Sequence, residues 1–456
     1  MSNNCAVILA AGDGKRMKSK APKVLNEVLF VPMLGWVMDS CKEAGIDDLC
    51  VVAGYNHEMV EDYVGDNAKI ALQLERKGTA HAVMQAAGFI KRCDGNVLVL
   101  CGDAPFMDAD TIKEALNLHT SKNNDVTVIT AIVPDATGYG RIIRTESGIS
   151  GIVEHKDATE EQLKINEINS GAYWFKASTL SEILDSFDCN NSQGEYYLTD
   201  SIEIILKNGG RADAYASKSA EVALGANSKR GLYELHEIAR KKIIDKHFEN
   251  GVEFLSLDGV IIGKDVKIGA GTKILAGTML KGETEIGEEC VIGPNSIIDN
   301  TKVGDRTVLN NVQAYQSEIA EDVQIGPFVH IRPNCKLARG IKIGDFVEVK
   351  NSNVGEKTAI AHLTYVGDSD VGRGVNFGCG CVTVNYNGME KNRTVIGDDA
   401  FIGCNTNLVA PVTVGEGAYT AAGSTITKDV PPYALAIERG HQLEKEGYAI
   451  GKVKKK

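Results

Sequence analysis

The sequence predicts two unlike folds in one chain: a Rossmann-like α/β domain with a mostly parallel sheet, then a parallel β-helix. Three observations carry this. Short apolar runs alternate with helical patterns through the first half, which implies helices packed on a mostly parallel sheet. A six-residue aliphatic period governs the second half, and such a repeat is the signature of a β-solenoid. Glycine is abundant at 48 residues while aromatics make up only 6%, a balance that suits small-residue β repeats better than a helical bundle.

Residues 1–228 form the first predicted domain. CAVILA, DLCVVAG, NVLVLCGD and DVTVITAIV read as strands, and residues 32–44 and 79–91 show helical apolar spacing. In such sheets ligands sit beyond the carboxyl ends of the strands. Residues 229–250 are predicted to be a linking helix. Leu232, Tyr233, Leu235, Ile238, Ala239, Ile243 and Ile244 share one face, and Asn250-Gly251 stops it.

Residues 251–456 form the second predicted domain. Ile262, Ile268, Ile274, Leu280, Ile286, Ile292 and Ile298 follow one another at steps of six. The position four after each is small or β-branched, as at Thr272, Thr278, Thr284, Cys290 and Ser296. The register loosens near 303–318, then resumes from Ile319 to Val349 and again from Ile396. Three hexads make one triangular coil, with the aliphatic residue inward and the small residue in the corner. Each coil buries its face only by stacking. Proteins with this hexapeptide repeat are left-handed, so a left-handed parallel β-helix is expected. Steps of five interrupt the period at Val349–Val354 and Val366–Val371, and the polar run NYNGMEKNR falls out of register. Loops leaving a solenoid at such breaks often line its binding face.

Composition narrows the partners. A net charge of −12 argues against nucleic acid, which needs a basic face. The apolar run from Val7 to Ala11 is too short for a signal-peptide core, and no run is long enough for a membrane span. Eleven scattered cysteines suggest no disulfide framework and a cytoplasmic setting. The final KVKKK reads as a solvated tail.

Chemistry concentrates in a few segments. In LAAGDGKRM, Gly12 and Gly14 let backbone N–H groups approach an anion, and Arg16 and Lys23 add positive charge. The third glycine of a dinucleotide fingerprint and the GK[ST] of a Walker loop are both missing. A solvated glycine turn and a triphosphate cradle are both open on these residues. Asp103, in VLVLCGDAP, sits where a carboxylate can hold Mg2+ or cap a turn. His362, in IAHLTYVGDS, adjoins a register break, and Tyr365, Asn376, Asn385, Tyr386 and Lys391 follow it closely. A neutral imidazole suits a general base, although a single histidine is also a common structural residue. Cys379 and Cys381 have no second pair with which to hold a metal.

LAAGDGKRM, PKVL and VLVLCGDAP together resemble the sugar-phosphate nucleotidyltransferase family. The closer resemblance covers nearly the whole chain. It is to the bacterial bifunctional N-acetylglucosamine-1-phosphate uridyltransferase / glucosamine-1-phosphate acetyltransferase family, which serves cell-wall precursor synthesis. The resemblance implies that Leu9, Ala10, Ala11 and Gly12 line UTP, that Lys23 and Arg16 act on its phosphates, and that Gln73 reads uracil beside Gly78 and Thr79. It implies that Gly140, Glu154 and Asn169 hold the N-acetylglucosamine part, and that Asp103 and Asn227 bind Mg2+. For acetyl transfer it implies His362 as proton acceptor and Arg332, Lys350 and Lys391 at the phosphate of glucosamine 1-phosphate. Tyr365, Asn376, Asn385 and Tyr386 would position sugar and thioester, and Cys379, Cys404, Ala422 and Arg439 would meet acetyl-CoA. It also implies a homotrimer through the β-helix. Five positions depart from familiar forms of the family: Lys15 for Thr, Arg76 for Gln, Cys101 for Tyr, Cys379 for Ala and Cys404 for Ser.

Two other readings share the architecture. One is a monofunctional nucleotidyltransferase with a structural or regulatory β-helix, and IAHLTYVGDS and NYNGMEK count against it. The other is a non-catalytic assembly subunit, and the set of Lys23, Asp103 and Asn227 counts against that.

Overall fold

The computed structural model describes residues 4–12, 14–145, 148–191 and 193–452. The Lys15 side chain and residues 453–456 of the basic tail lie outside the described residues. The chain divides into two compact units, Met1–Ala239 and Arg240–Lys456.

The first unit is built on one sheet. Its strands run in the order Ala212–Ala216, Val126–Ile132, Glu167–Lys176, Asn96–Cys101, Cys5–Ala10, Asp48–Ala53 and Lys69–Leu72. All neighbours are parallel except Glu167–Lys176, which runs antiparallel to both strands beside it. Strand residues alternate between faces, and both faces here are buried. Val7, Val97 and Val99 pack into one apolar cluster, while Ile8, Leu98 and Leu100 pack into the other. This is why CAVILA and NVLVLC read as continuous apolar runs. Strands Cys5–Ala10, Asn96–Cys101 and Lys69–Leu72 all end on the same edge, and their following loops carry Gly12, Asp103 and Gln73.

The helix expected over 32–44 is Met33–Glu43. The one expected over 79–91 is two pieces, Thr79–Gln85 and Ala87–Ile90, because the chain leaves helical geometry at Ala86. The helix Lys229–Glu249 spans the division between the units. Leu232, Leu235, Ala239, Ile243 and Ile244 are buried along it, but Tyr233 is 59% exposed. Tyr233 lies one residue off the buried stripe, about 100° around the helix, so the expected face is narrower. Gly251, at φ 81°, ends the helix, with its N–H and that of Val252 donating back to Phe248 and His247.

The second unit is a left-handed parallel β-helix. Its short strands stack into three sheets of 11, 10 and 9 strands. Ile262 pairs with Leu280, and Leu280 with Ile298, a rise of 18 residues each time, or three hexads. These inward residues are at most 1% exposed. The corner residues Thr272, Thr278 and Thr284 are fully buried. The Thr272 hydroxyl donates to Gly287 O at 2.8 Å and accepts from the Cys290 N–H at 3.0 Å. A threonine fits a buried corner because its hydroxyl finds backbone partners there. Near 303–318 the helix does not loosen. Val303, Leu309, Ala314 and Ile319 continue the inward row, with some corners one residue shorter. The polar insert is extruded from the prism and closes on itself through a bridge between Tyr386 and Lys391.

Candidate functional site

In the first unit, the strand Cys5–Ala10 feeds a turn that folds back over Lys23. Gly14 holds φ 57°, and a Cβ there would stand 2.8 Å from the Lys23 Cβ. The turn therefore requires glycine. The Lys23 ammonium contacts the Asp103 carboxylate and donates to the Asn227 side-chain oxygen. Asn227 reaches this point because Gly225 lies against Asp103; a Cβ on Gly225 would be 2.9 Å from the Asp103 carbonyl oxygen. Residues 80 and 204 positions apart from Lys23 thus meet at one ammonium.

Two adjoining spaces open here, of about 510 Å³ and 280 Å³, and share Leu9, Thr79, Cys101 and Asp103. The smaller is lined by Ala11, Gly12, Lys23, Gln73, Arg76 and Gly78 among others. The larger is lined by Arg16, Gly140, Glu154, Asn169 and Asn227. Ala10 lines neither; its side chain is 2% exposed and packs in the core. Tyr139, Tyr173, Leu198 and Thr199 also line the larger space and were not singled out from sequence. Tyr139 immediately precedes Gly140, so a signal existed for it. Leu198 and Thr199 lie in no motif and arrive by tertiary folding alone.

The larger space is polar and acidic at one end. The Asn169 amide accepts from the Gly171 N–H at 2.9 Å and donates to the Tyr173 hydroxyl at 2.7 Å. Its orientation is therefore set. Burial first, then the Asp157 and Asp200 carboxylates, raise the Glu154 pKa above the usual range. Burial first, then Asp103, push the Cys101 thiol up to about 12. It sits in the pocket as a neutral thiol, donating to Gly171 O at 3.7 Å. Asp103 and Asn227 present oxygen donors to one point, the chemistry Mg2+ prefers. Among the described residues no cluster of three or more His, Cys, Asp or Glu could hold a metal. Two protein oxygens still suit Mg2+, which commonly keeps water and substrate phosphate as its other ligands.

In the second unit, the candidate residues form two groups. The first is a column along one corner of the prism, with one residue per coil. The Asp345 carbonyl accepts from the Leu363 N–H, His362 from Gly380, Cys379 from Asn405 and Cys404 from Gly423. Above these, Arg439 donates to Ala422 O at 3.0 Å. Asp345, His362, Cys379, Cys404 and Ala422 are thus successive rungs, and the Arg439 side chain reaches the last of them. The His362 ring is exposed and lines a groove of about 390 Å³ with Asp345 and Lys342. Asn376 is exposed on the sheet beside it, paired with Ala359 and Phe401.

The second group is cationic. Lys350 lies 3.2 Å from Asp368, and Arg332 lies 2.9 Å from Glu348. Asn385 is 9% exposed and donates to Asp368 and, at 3.3 Å, to the Tyr365 hydroxyl. Lys391 comes beside Lys350, which lowers the Lys391 pKa, with Arg332 adding to the effect. Three cations gathered around one buried carboxylate make a site for an anion. Tyr365 stands on the strand between this cluster and the His362 column. Tyr386 is turned outward, 57% exposed, with its hydroxyl donating to Gly388 O. Among the described residues a groove of about 930 Å³ follows a different face, along Lys267, Glu285, Lys302, Glu318 and Lys336, and holds none of the candidate residues.

Residues 5–221 match the nucleotidyl transferase family model. Residues 393–428 match the bacterial transferase hexapeptide model of six repeats, and residues 283–311 match the hexapeptide repeat of succinyl-transferase. The chain is 48% identical over 448 residues to the bifunctional protein GlmU of Acetivibrio thermocellus, covering 98% of this chain and 97% of that one. It is 49% identical over 449 residues to the GlmU of a Geobacillus species, covering 98% of both chains. The chain belongs to the GlmU family of bifunctional proteins. A GlmU of Clostridium botulinum is 47% identical over 447 residues, again covering 98% of both chains. The GlmU likeness spans both units, so both constellations described above fall within it.

Proposed function

We propose that each unit carries one half-reaction of UDP-N-acetylglucosamine synthesis, at the two sites described above. The enzyme moves acetyl from acetyl-CoA to glucosamine 1-phosphate, then uridylyl from UTP to N-acetylglucosamine 1-phosphate, releasing pyrophosphate. The observation that supports the assignment of sites is the presence of two constellations of lysine or arginine with carboxylate or amide partners in one chain, each suited to phosphate. Lys23, Asp103 and Asn227 form one, and Arg332, Lys350 and Lys391 the other.

At the first site the sugar phosphate attacks the α-phosphorus in line. Phosphoryl transfer asks the protein mainly for positioning and charge neutralisation. Gly12 and the turn behind it bring backbone N–H groups to the triphosphate, and Arg16 and Lys23 neutralise its oxygens. Lys23 shifts from Asp103 to phosphate when substrate enters. Asp103 and Asn227 would hold Mg2+, which when bound neutralises phosphate oxygen charge. Gly140, Glu154 and Asn169 orient the N-acetylglucosamine group.

At the second site Arg332, Lys350 and Lys391 seat the sugar phosphate, with Tyr365 and Asn385 fixing the sugar beside it. The His362 imidazole takes the proton from the amine as it attacks the thioester. The rungs above it, Cys379, Cys404 and Ala422, together with Arg439, Tyr386 and Asn376, form the track for acetyl-CoA. The site is shared in a homotrimer. Phe328, Phe346 and Leu363 support this, since they lie 58–60% exposed along the corner beside His362, with the two phenyl rings stacked at 5.4 Å. The reactions take place in the cytoplasm, in keeping with eleven cysteines that all stand as free thiols; separately, no helix among the described residues is long and apolar enough to cross a membrane.

Incubation with acetyl-CoA, UTP, Mg2+ and glucosamine 1-phosphate should release free thiol and pyrophosphate. Thiol without pyrophosphate, or the reverse, would leave one site without its assigned reaction. Mixed trimers of His362→Ala and Lys391→Ala chains should regain acetyl transfer if the site is shared; full activity in a dilute monomer would exclude sharing.

A further inference from the structure

In the smaller space of the first unit, Gln73 is 4% exposed, and its backbone N–H donates to Ala53 O at 2.8 Å. Its side-chain nitrogen lies 3.1 Å from Gly78 O and 3.0 Å from the His81 Nδ1. The Gly78 carbonyl is not free to turn. It also accepts from the Ala82 N–H at 3.2 Å, opening the helix Thr79–Gln85. Gly78 itself is pressed against Tyr196, where a Cβ would be 2.4 Å from the carbonyl oxygen. A fixed carbonyl requires the Gln73 NH2 group, not its oxygen, to face it.

The second N–H of that amide then points at the His81 Nδ1, which can accept only in the neutral Nε2–H tautomer. The Gln85 amide nitrogen donates to the His81 backbone O at 3.0 Å and lies 3.4 Å from the other ring nitrogen, a longer and weaker contact than the 3.0 Å from Gln73, so Nε2 keeps the proton. Both hydrogens of Gln73 are consequently occupied, and its oxygen alone is left for the pocket.

We propose that His81 is a positioning residue for nucleotide choice: it holds the Gln73 amide with its oxygen toward the base. This rests on the reading of the first site as the UTP site. A carbonyl oxygen there accepts from an imide N–H, which a uracil edge carries at N3. Cytosine presents a bare acceptor at the same place and is repelled. Without His81 the amide loses one of the two partners that fix it, and its NH2 can swing to meet cytosine. His81 touches no substrate, so its effect appears in binding and choice rather than in the chemical step.

The test compares two amide replacements in the full-length chain. In His81→Asn the side-chain oxygen falls near the place of Nδ1; in His81→Gln the amide reaches the place of Nε2 instead. Uridylyl transfer from preformed N-acetylglucosamine 1-phosphate is measured with UTP and with CTP. His81→Asn should keep the UTP/CTP ratio of kcat/KM within about threefold of the parent. His81→Gln should lower it by about tenfold, the scale of one buried hydrogen bond, through a higher KM for UTP and little change in kcat. Equal ratios in the two variants, or a loss confined to kcat, would overturn the inference. Melting curves establish that both variants are folded. Gln73→Leu separates the two levels. If it leaves the UTP/CTP ratio unchanged, the base-reading assignment itself fails. If Gln73→Leu lowers the ratio and His81→Gln does not, only the role of His81 fails.

Discussion

The two units gather the same kinds of cationic and polar side chains but assemble them by different geometry. In the first, Lys23, Asp103 and Asn227 come from loops far apart in the chain and meet because parallel strands end on one edge. In the second, His362, Cys379, Cys404 and Ala422 occupy successive rungs, spaced by the coil length. The charge balance also differs. Lys23 rests on Asp103, a pair of balanced charge. Arg332, Lys350 and Lys391 gather around Asp368 with cationic charge in excess. A sheet edge thus specifies a site through long-range packing, whereas a solenoid specifies one through periodicity. Damage at one site should not reach the other.

The largest expected effect tests that independence from the β-helix side. His362→Ala should lower acetyl transfer by roughly 10²–10⁴-fold, the scale of a lost general base. Uridylyl transfer from preformed substrate should stay at the parent rate. Near-parent acetyl transfer at neutral pH would assign the proton to another group.

Asp103→Ala tests it from the other side. Losing this carboxylate should cost uridylyl transfer about 10²–10³-fold and leave acetyl transfer intact. A parallel fall in both, with an unchanged melting profile, would mean that the sites are coupled.

Lys350→Ala probes the excess charge of the second site. The KM for glucosamine 1-phosphate should rise by about tenfold or more, the range for a hydrogen bond to a charged group, with a smaller change in kcat. An unchanged KM would place the sugar phosphate elsewhere.

The smallest effect concerns stability in the first unit. Burial first, then Asp188, Glu203 and Asp157, push Asp200 up to about 6. A carboxyl raised in the folded state favours folding while protonated, so stability falls as pH rises from about 4 through about 6. Asp200→Asn should therefore stabilise the first unit at pH 7.5 by about 1 kcal/mol, after allowance for partial solvent screening. The gain should vanish near pH 3, where the aspartate is largely neutral in both states. Equal gains at both pH values would trace the effect to something other than charge.

The β-helix was legible down to single residues because its constraint is local and repeated. A residue six positions on meets the same environment, so the period alone assigns Ile262 to Ile298 to the interior and the threonines to the corners. Where the period slipped at 303–318 the reading weakened, since shortened corners preserve the inward row while breaking the count. In the first unit the strands were legible as apolar runs, and Gly12, Lys23 and Asp103 stood in motifs. Leu198 and Thr199 were not, because nothing near them in sequence records that they line the cleft. Tyr233 was misplaced because an apolar residue at a helix flank differs from a buried one only by about 100° of rotation.

By itself the sequence determined the two fold classes, the order in which they occur and the family resemblance, because apolar periodicity and short motifs are properties of neighbouring residues. Only the tertiary structure decided that Lys23 lies between Asp103 and Asn227, that His362, Cys379, Cys404 and Ala422 rise as one column, and that the Gln73 amide turns its NH2 to Gly78 and His81. Each of these depends on where distant backbone carbonyls and side chains come to rest. Their directions are set by packing across the whole unit, which no local stretch of sequence encodes.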